Sequence, residues 1–282
     1  GISLAEALVT SFGQTAWTFA IALTVTLVLA RFVSAKAAFA IAAAVQCTLV
    51  MLGPVPPGGP FIRSVDAVIG GVVALVATAL IPRNPWGAAV RNGRRLIQAH
   101  VGVLDELASA LRSGDAAAAS AALAHARATS TQVEAVREAV DSGRAIAAVS
   151  PWLRHRRAEF ARLWAMVEPI DLATRGLRVL ARRADYLVSL GSIEPELADA
   201  LDRIGRAVVL LGDSIADVTV TPIARNELTE LAKHLSAAEA FGRGTTAYEA
   251  NVIHAARPYV TDLLVATGLS LDAARSALAP LE

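Results

Sequence analysis

Charge, aromatic residues, lysine and cysteine are all scarce in this chain. Of its 282 residues only 18% are charged and 5% aromatic, whereas 55% are hydrophobic. A mean hydropathy of +0.50 is too apolar for an ordinary soluble protein of this length, so part of the chain belongs in lipid. The only cysteine, Cys47, sits in an apolar run; it can form no intrachain disulfide and reads as a small buried residue. Lysine occurs only as Lys36 and Lys233. Basic character therefore rests on arginine, which together with abundant alanine is the composition of a GC-rich bacterial genome.

Further chemistries are excluded by what is missing. A net charge of +1 offers no basic field for nucleic acid. No zinc-finger spacing, GxxxxGK phosphate loop or paired CxxC occurs, no GxGxxG follows a strand, and no GxSxG turn presents a serine. The five histidines, His100, His125, His155, His234 and His254, are dispersed, with no HxxxH or HExxH pair. The chain is expected to be neither an enzyme nor a carrier of metal or cofactor.

The charge that is present is unevenly placed. Residues 1–83 contain only Glu6, Arg31, Lys36, Arg63, Asp66 and Arg83, and every other charge falls in 84–282. Three apolar segments, 15–31, 37–54 and 65–82, follow one another in the first part. Each is 17 to 18 residues, roughly 26 Å as a helix and near the lower limit for crossing a bilayer. Arg31 and Lys36 mark the first link as cytoplasmic, and Arg83, Arg91, Arg94 and Arg95 do the same for everything after the third span. The Pro/Gly-rich link "GPVPPGGPFIR" then faces outward. The expected fold is all-α: polytopic transmembrane helices over 1–83, followed by a cytoplasmic antiparallel helical bundle over 84–282.

The segment "FIRSVDAVIGGVVALVATALIPRNPW" opens on a charged pair and closes abruptly. Ser64 is placed to cap the third span, Asp66 to favour its helix dipole and Arg63 to pair with Asp66 at the interface. Gly70, Ala74 and Ala77 line one face of that helix, where only the close approach of another helix would use them. A homo-oligomer is the expected partner arrangement, with the lipid bilayer around it. Pro82 ends the span, and Asn84-Pro85 starts the next helix at once. The opening "GISLAEALVTSFG" reads as the end of a helix whose start lies upstream of Gly1.

Residues 85–282 carry helical periodicity throughout. Apolar stripes run through Leu104, Leu107 and Leu111; through Leu177, Leu180, Ala184, Leu187 and Leu190; through Leu197, Leu201, Ile204, Val208, Leu211 and Ile215; and through Leu228, Leu231 and Leu235. Breaks fall at 113–115, Ser150-Pro151, 190–192, Thr221-Pro222, 242–244 and 268–270. Ser150-Pro151 and Thr221-Pro222 repeat the cap-then-proline start of Asn84-Pro85. Pro169 and Pro258 fall within helical pattern and should kink or break their helices.

Few residues stand out as functional. Asp66 is the only acidic residue of the three spans, and Gln46 is a polar group near a span centre; with Arg63 they are the candidates for a substrate or proton pathway. Arg154, Arg156 and Arg157 in "RHRRAEFAR", with Arg175, Arg178 and Arg182, form two basic clusters. These are either a solvated face, partly neutralised by Asp171 and Asp185, or a contact for anionic lipid or an anionic solute.

The order of these pieces resembles the fusaric acid resistance (FUSC) or aromatic acid exporter family. The resemblance is carried by "RSVDAVIGGVVALVATALIPRNP", in which Arg63, Asp66, Gly70, Pro82 and Arg83 stand at the family's pattern positions. It continues in "SPWLRHRRAEFARLW", "LATRGLRVLARRADYL" and "YVTDLLVATGL", and so covers essentially the whole chain. The resemblance implies an efflux transporter of aromatic carboxylic acids or similar small organic anions in a bacterial plasma membrane, lacking its first spans in this sequence. No ATP-binding motif occurs, so energy would come from a proton gradient if at all. The competing expectation is a membrane-anchored helical scaffold whose long second half binds a protein partner or lipid without transport.

Overall fold

A computed structural model describes residues 2–35, 37–53, 62–80, 84–236 and 246–279, without the side chains of 3, 4 and 78–80. Several features expected from sequence lie outside them: Lys36, the Pro/Gly-rich link at 54–61, the span exit with Pro82 and Arg83, and the break at 242–244. Among the described residues the protein is all-helical, with no strand. It divides into two compact units, 1–82 and 83–282.

The first unit contains α1 (Ile2–Phe12), α2 (Ala16–Val33), α3 (Ala37–Leu52) and α4 (Ile62–Leu80). Gly13, at φ +76°, ends α1 in the left-handed conformation that glycine adopts without strain. Thr15 then caps α2, with Thr18 completing a reciprocal capping box. By length and composition α2 is long and apolar enough to cross a membrane; α3 is apolar but shorter. The two pack against each other. The face α2 buries is Thr18, Ala22, Thr26 and Ala30, a row of small residues every fourth position that lets two helix backbones approach closely. The sequence placed such a face on α4. There Gly70 and Ala74 are exposed and Ala77 half-buried, and a Cβ added at Gly70 would meet nothing within 4 Å.

The start of α4 differs from the sequence expectation. The helix begins at Ile62, so Ser64 lies inside the first turn instead of capping it. The cap comes from another helix. Glu6 of α1, buried at 7% exposure, accepts from the backbone N–H of Arg63 and of Ser64, both at 3.2 Å, and from the Ser64 hydroxyl. A carboxylate at a helix N-terminus satisfies orphan N–H groups and meets the positive end of the dipole.

The second unit is built of α5 (Pro85–Ser113), α6 (Ala116–Val149), a 3-10 turn (Pro151–Arg156), α7 (Arg157–Ser189), α8 (Pro195–Ala216), a second 3-10 turn (Val218–Val220), α9 (Thr221–Lys233), α10 (Ala247–Ala266) and α11 (Leu271–Ser276). Helices α5, α6 and α7 form consecutive antiparallel hairpins. Helix α8 packs on the free side of α5, α10 on the free side of α7, and α9 lies between α8 and α10. The helices therefore alternate in direction. The starts of α5, α7 and α9 lie at one end, with the finishes of α6, α8 and α10.

The apolar stripes read from sequence face this core. Leu104, Leu107, Leu111, Leu177, Leu180, Leu201, Ile204, Val208 and Leu211 are all buried, each stabilising by about 1.5–3 kcal/mol relative to exposure. Leu190 departs from its stripe: it forms the end of α7 and is exposed. Pro169 and Pro258 do not break their helices, which run through them. Asn84 caps α5 as expected, accepting from Gly87 N–H at 2.7 Å. The other two cap-then-proline starts differ. Ser150-Pro151 opens a 3-10 turn with no side-chain cap, and Thr221 lies inside the first turn of α9 instead of capping it.

Candidate functional site

In the first unit, polar chemistry gathers where α1, α3 and α4 meet. Arg63 Nη1 donates to the Val50 carbonyl at 2.9 Å, satisfying an orphan acceptor in the last turn of α3. The guanidinium lies over Gly53, where an added Cβ would come within 3.1 Å of Arg63 Nη2 and 2.8 Å of the Leu49 carbonyl. Gln14 donates to the Gly53 carbonyl at 3.1 Å. Together with Glu6 this ties three helix ends into one cluster. The sequence had Arg63 pairing with Asp66; the structure engages its guanidinium with α3 and leaves Asp66 exposed on α4. Gln46 is exposed on α3, one turn before Val50, and no hydrogen bond joins it to Arg63 or Asp66. Glu6, the buried member of the cluster, was visible in the sequence only as an isolated charge.

In the second unit the basic residues separate into different roles. Arg157 donates from Nε to the Ala147 carbonyl at 2.8 Å and from Nη2 to the Ala148 carbonyl at 2.6 Å, closing the end of α6. Arg162 does the same for α8, reaching Ser214 at 3.0 Å and Ile215 at 3.1 Å. Arg225 reaches the Thr267 carbonyl after α10, and Arg257 the carbonyls of Leu235 and Ala279. A planar fork places two donors on neighbouring carbonyls at a helix C-terminus, which an ammonium cannot do as well. Arg156 pairs with Glu159 at 2.6 Å and lies over the Trp86 ring at 5.3 Å. Arg175 pairs with Asp171 at 2.7 Å, and Arg137 approaches the same carboxylate at 3.5 Å. Arg154 and Arg182 are exposed and Arg178 half-buried, with no ion pair among the described residues.

One buried polar network lies at the centre of the bundle. His100 on α5 is wholly buried; its Nε2 is 3.0 Å from Thr174 Oγ1 on α7 and its Nδ1 3.2 Å from the Tyr259 hydroxyl on α10. Thr174 gives its proton to the Ile170 carbonyl at 2.7 Å, so it accepts from His100 Nε2–H, and Nδ1 is left to accept from Tyr259. The imidazole is neutral, and burial pushes its pKa down to about 4. Burial raises the Tyr259 phenol well above its usual range. All three groups are enclosed by core side chains, so this arrangement positions α5, α7 and α10 and does not reach a solute. Gly176 makes the approach possible: a Cβ there would lie 3.3 Å from the Tyr259 backbone.

Surface grooves are present among the described residues of this unit. One, of about 320 Å³, lies between α5 and α8 and includes Arg94, Gln98 and Asp213. Another, of about 470 Å³, lies along α10 and α11 and is lined by His254, Arg257, Asp262 and Arg275. Burial raises the Asp262 carboxyl to about 6. Among the described residues, no three His, Cys, Asp or Glu side chains converge as a metal site would need.

No family profile matches this chain. Its sequence is 28% identical over 288 aligned residues to an uncharacterized protein of Corynebacterium glutamicum, an alignment that covers 99% of this chain and 74% of that protein. Residues of both units fall inside the alignment. No solved structure matches.

Proposed function

We propose that the chain is part of a polytopic exporter of aromatic carboxylates or similar organic anions, set in a bacterial plasma membrane as a homo-oligomer with its helical half in the cytoplasm. The observation that carries the membrane reading is the uncovered apolar surface of the first unit. Along α4, Val65, Val68, Ile69, Val72, Val73, Leu75 and Val76 are each half or more exposed. Only 22% of α2 is buried. A core helix of a soluble protein buries its apolar side chains, whereas a helix that is apolar all round suits lipid or further helices.

Transport itself rests on the resemblance to the aromatic acid exporters. Three alternating crossings by α2, α3 and α4 would place the arginine-rich start of α5 on the cytoplasmic side. The open face of Gly70, Ala74 and Ala77 is where another copy would pack. With Arg63 engaged at α3, Asp66 is the exposed carboxylate of the spans and the candidate for the proton pathway. Arg154, Arg178 and Arg182 would raise the local concentration of an organic anion.

The test is efflux of aromatic carboxylates from cells expressing the full-length gene or its Asp66→Asn variant, at two external pH values. We expect pH-dependent efflux that the variant loses at unchanged expression. Efflux with the same rate and pH dependence in the variant would remove Asp66 from the mechanism. No difference from empty-vector cells across the panel would overturn transport of this solute class.

A further inference from the structure

We infer that the connection between α6 and α7, residues 149–157, is a membrane-surface anchor that seats the helical half on an anionic leaflet. The inference rests on the membrane reading of α2 to α4 and adds to it a second attachment to the same bilayer.

Helix α4 ends at Leu80 and α5 begins at Pro85; the residues between can span at most about 18 Å. If α4 crosses the bilayer, the first turn of α5 lies close to the leaflet it leaves. The connection is fixed beside that turn from within the second unit. Arg156 lies over the Trp86 ring at 5.3 Å, and Phe160 meets the same ring edge-on at 5.4 Å and 88°. Arg157 holds the connection to the end of α6.

The side chains that point away from the bundle here are the kind an interface takes. Val149 is 79% exposed and Trp152 73%. Val218, at the same end because Arg162 ties α7 to the end of α8, is also exposed. A tryptophan standing in water leaves a large apolar ring uncovered; at headgroup level the ring meets acyl chain while its N–H stays hydrated. The charge around it is complementary to anionic lipid. Arg154 and Arg91 are exposed without an ion pair among the described residues. Of the acids nearest the connection and Val218 in sequence, Glu159 is paired with Arg156 and Asp217 accepts from the Thr219 N–H and hydroxyl. Basic residues beside an inserted apolar edge reinforce each other at such a surface.

The opposite end of the bundle supplies an internal control. Ile193 is exposed to a similar degree but lies against Gly114 at the far end of α5, about 43 Å from Pro85 along the helix.

The test uses the full-length protein with Cys47→Ala and one new cysteine, Val28→Cys, Trp152→Cys or Ile193→Cys, each carrying a fluorophore. The proteins are reconstituted into phosphatidylcholine/phosphatidylglycerol vesicles containing brominated lipid. We expect quenching at 28 and at 152, the latter at least about threefold that at 193 and reduced by Arg154→Glu. Quenching at 28 without quenching at 152 would overturn the anchor while leaving the membrane reading intact, and would assign this face to a protein partner. Absence of quenching at both would overturn the membrane reading and the anchor with it.

Discussion

Glu6 and Ser64, one in the middle of α1 and the other in the first turn of α4, are joined through both the Ser64 N–H and its hydroxyl. A helix whose apolar sides are uncovered by the rest of the described chain is thus held at its start by one buried carboxylate.

Removing that carboxylate takes away the acceptor used by the half-buried Arg63 and Ser64 N–H groups. Each unsatisfied group costs about 1–3 kcal/mol. Glu6→Ala should lower the apparent Tm of the detergent-solubilised protein, and Glu6→Gln should do so by less, because one amide oxygen remains to accept. Asp66→Asn, on an exposed position of the same helix, should leave Tm unchanged. Equal Tm values for all three variants would show that Glu6 does not organise α4.

His100 makes the bundle sensitive to acid. Its folded pKa is about 4, against about 6.5 when unfolded. Between those values the unfolded chain binds a proton that the folded one does not, so stability falls as pH drops from about 6.5 to about 4, by up to about 3 kcal/mol. Asp262 acts in the opposite sense. Raised to about 6 from 3.8, it holds a proton in the folded state that the unfolded chain lacks, so its contribution is present in acid and lost as pH rises through 6. Asp105 and Glu194, both raised first by burial and then by neighbouring carboxylates, oppose His100 in the same direction. Asp262→Asn should therefore steepen the fall in Tm between pH 6.5 and 4, and His100→Gln should flatten it while lowering Tm at pH 7. Parallel Tm profiles for wild type and both variants would contradict this assignment.

Among the described glycines, Gly143 on α6 has the least room for a side chain. A Cβ there would come within 2.2 Å of the Phe160 ring, and Phe160 is fully buried against Trp86. Alanine favours a helix over glycine by about 1 kcal/mol, while overpacking costs about 1–3 kcal/mol. Gly143→Ala should be destabilising on balance, and Phe160→Leu in the same chain should recover part of the loss. A Gly143→Ala protein with a raised Tm would mean that Phe160 can move aside freely.

Much of this architecture was legible in the sequence because apolar periodicity is a local signal. The stripes of α5, α7 and α8 could be read from spacing alone, apart from Leu190 at the end of α7. So could the positions of α2, α3 and α4, from the uncharged runs. What escaped was non-local. Whether Arg63 turns to Asp66 or to the end of α3 depends on where α3 stops. Arg157, Arg162, Arg225 and Arg257 look like solvated charges until the carbonyls they close are brought within reach. His100, Thr174 and Tyr259 are separated by 74 and 159 residues from the histidine at their centre, and nothing in their spacing joins them. The small-residue row of α2 was present in the sequence, but Gly70, Ala74 and Ala77 on α4 carried the more conspicuous glycine.

The central claim is transport, and movement of solute across a sealed bilayer tests it most directly. The full-length protein would be reconstituted into liposomes with an imposed pH gradient, and passage of a fluorescent aromatic carboxylate measured against protein-free liposomes. The account predicts protein-dependent flux that reverses when the gradient is reversed and is lost in Asp66→Asn. Flux equal to that of protein-free liposomes in both gradient directions would contradict it.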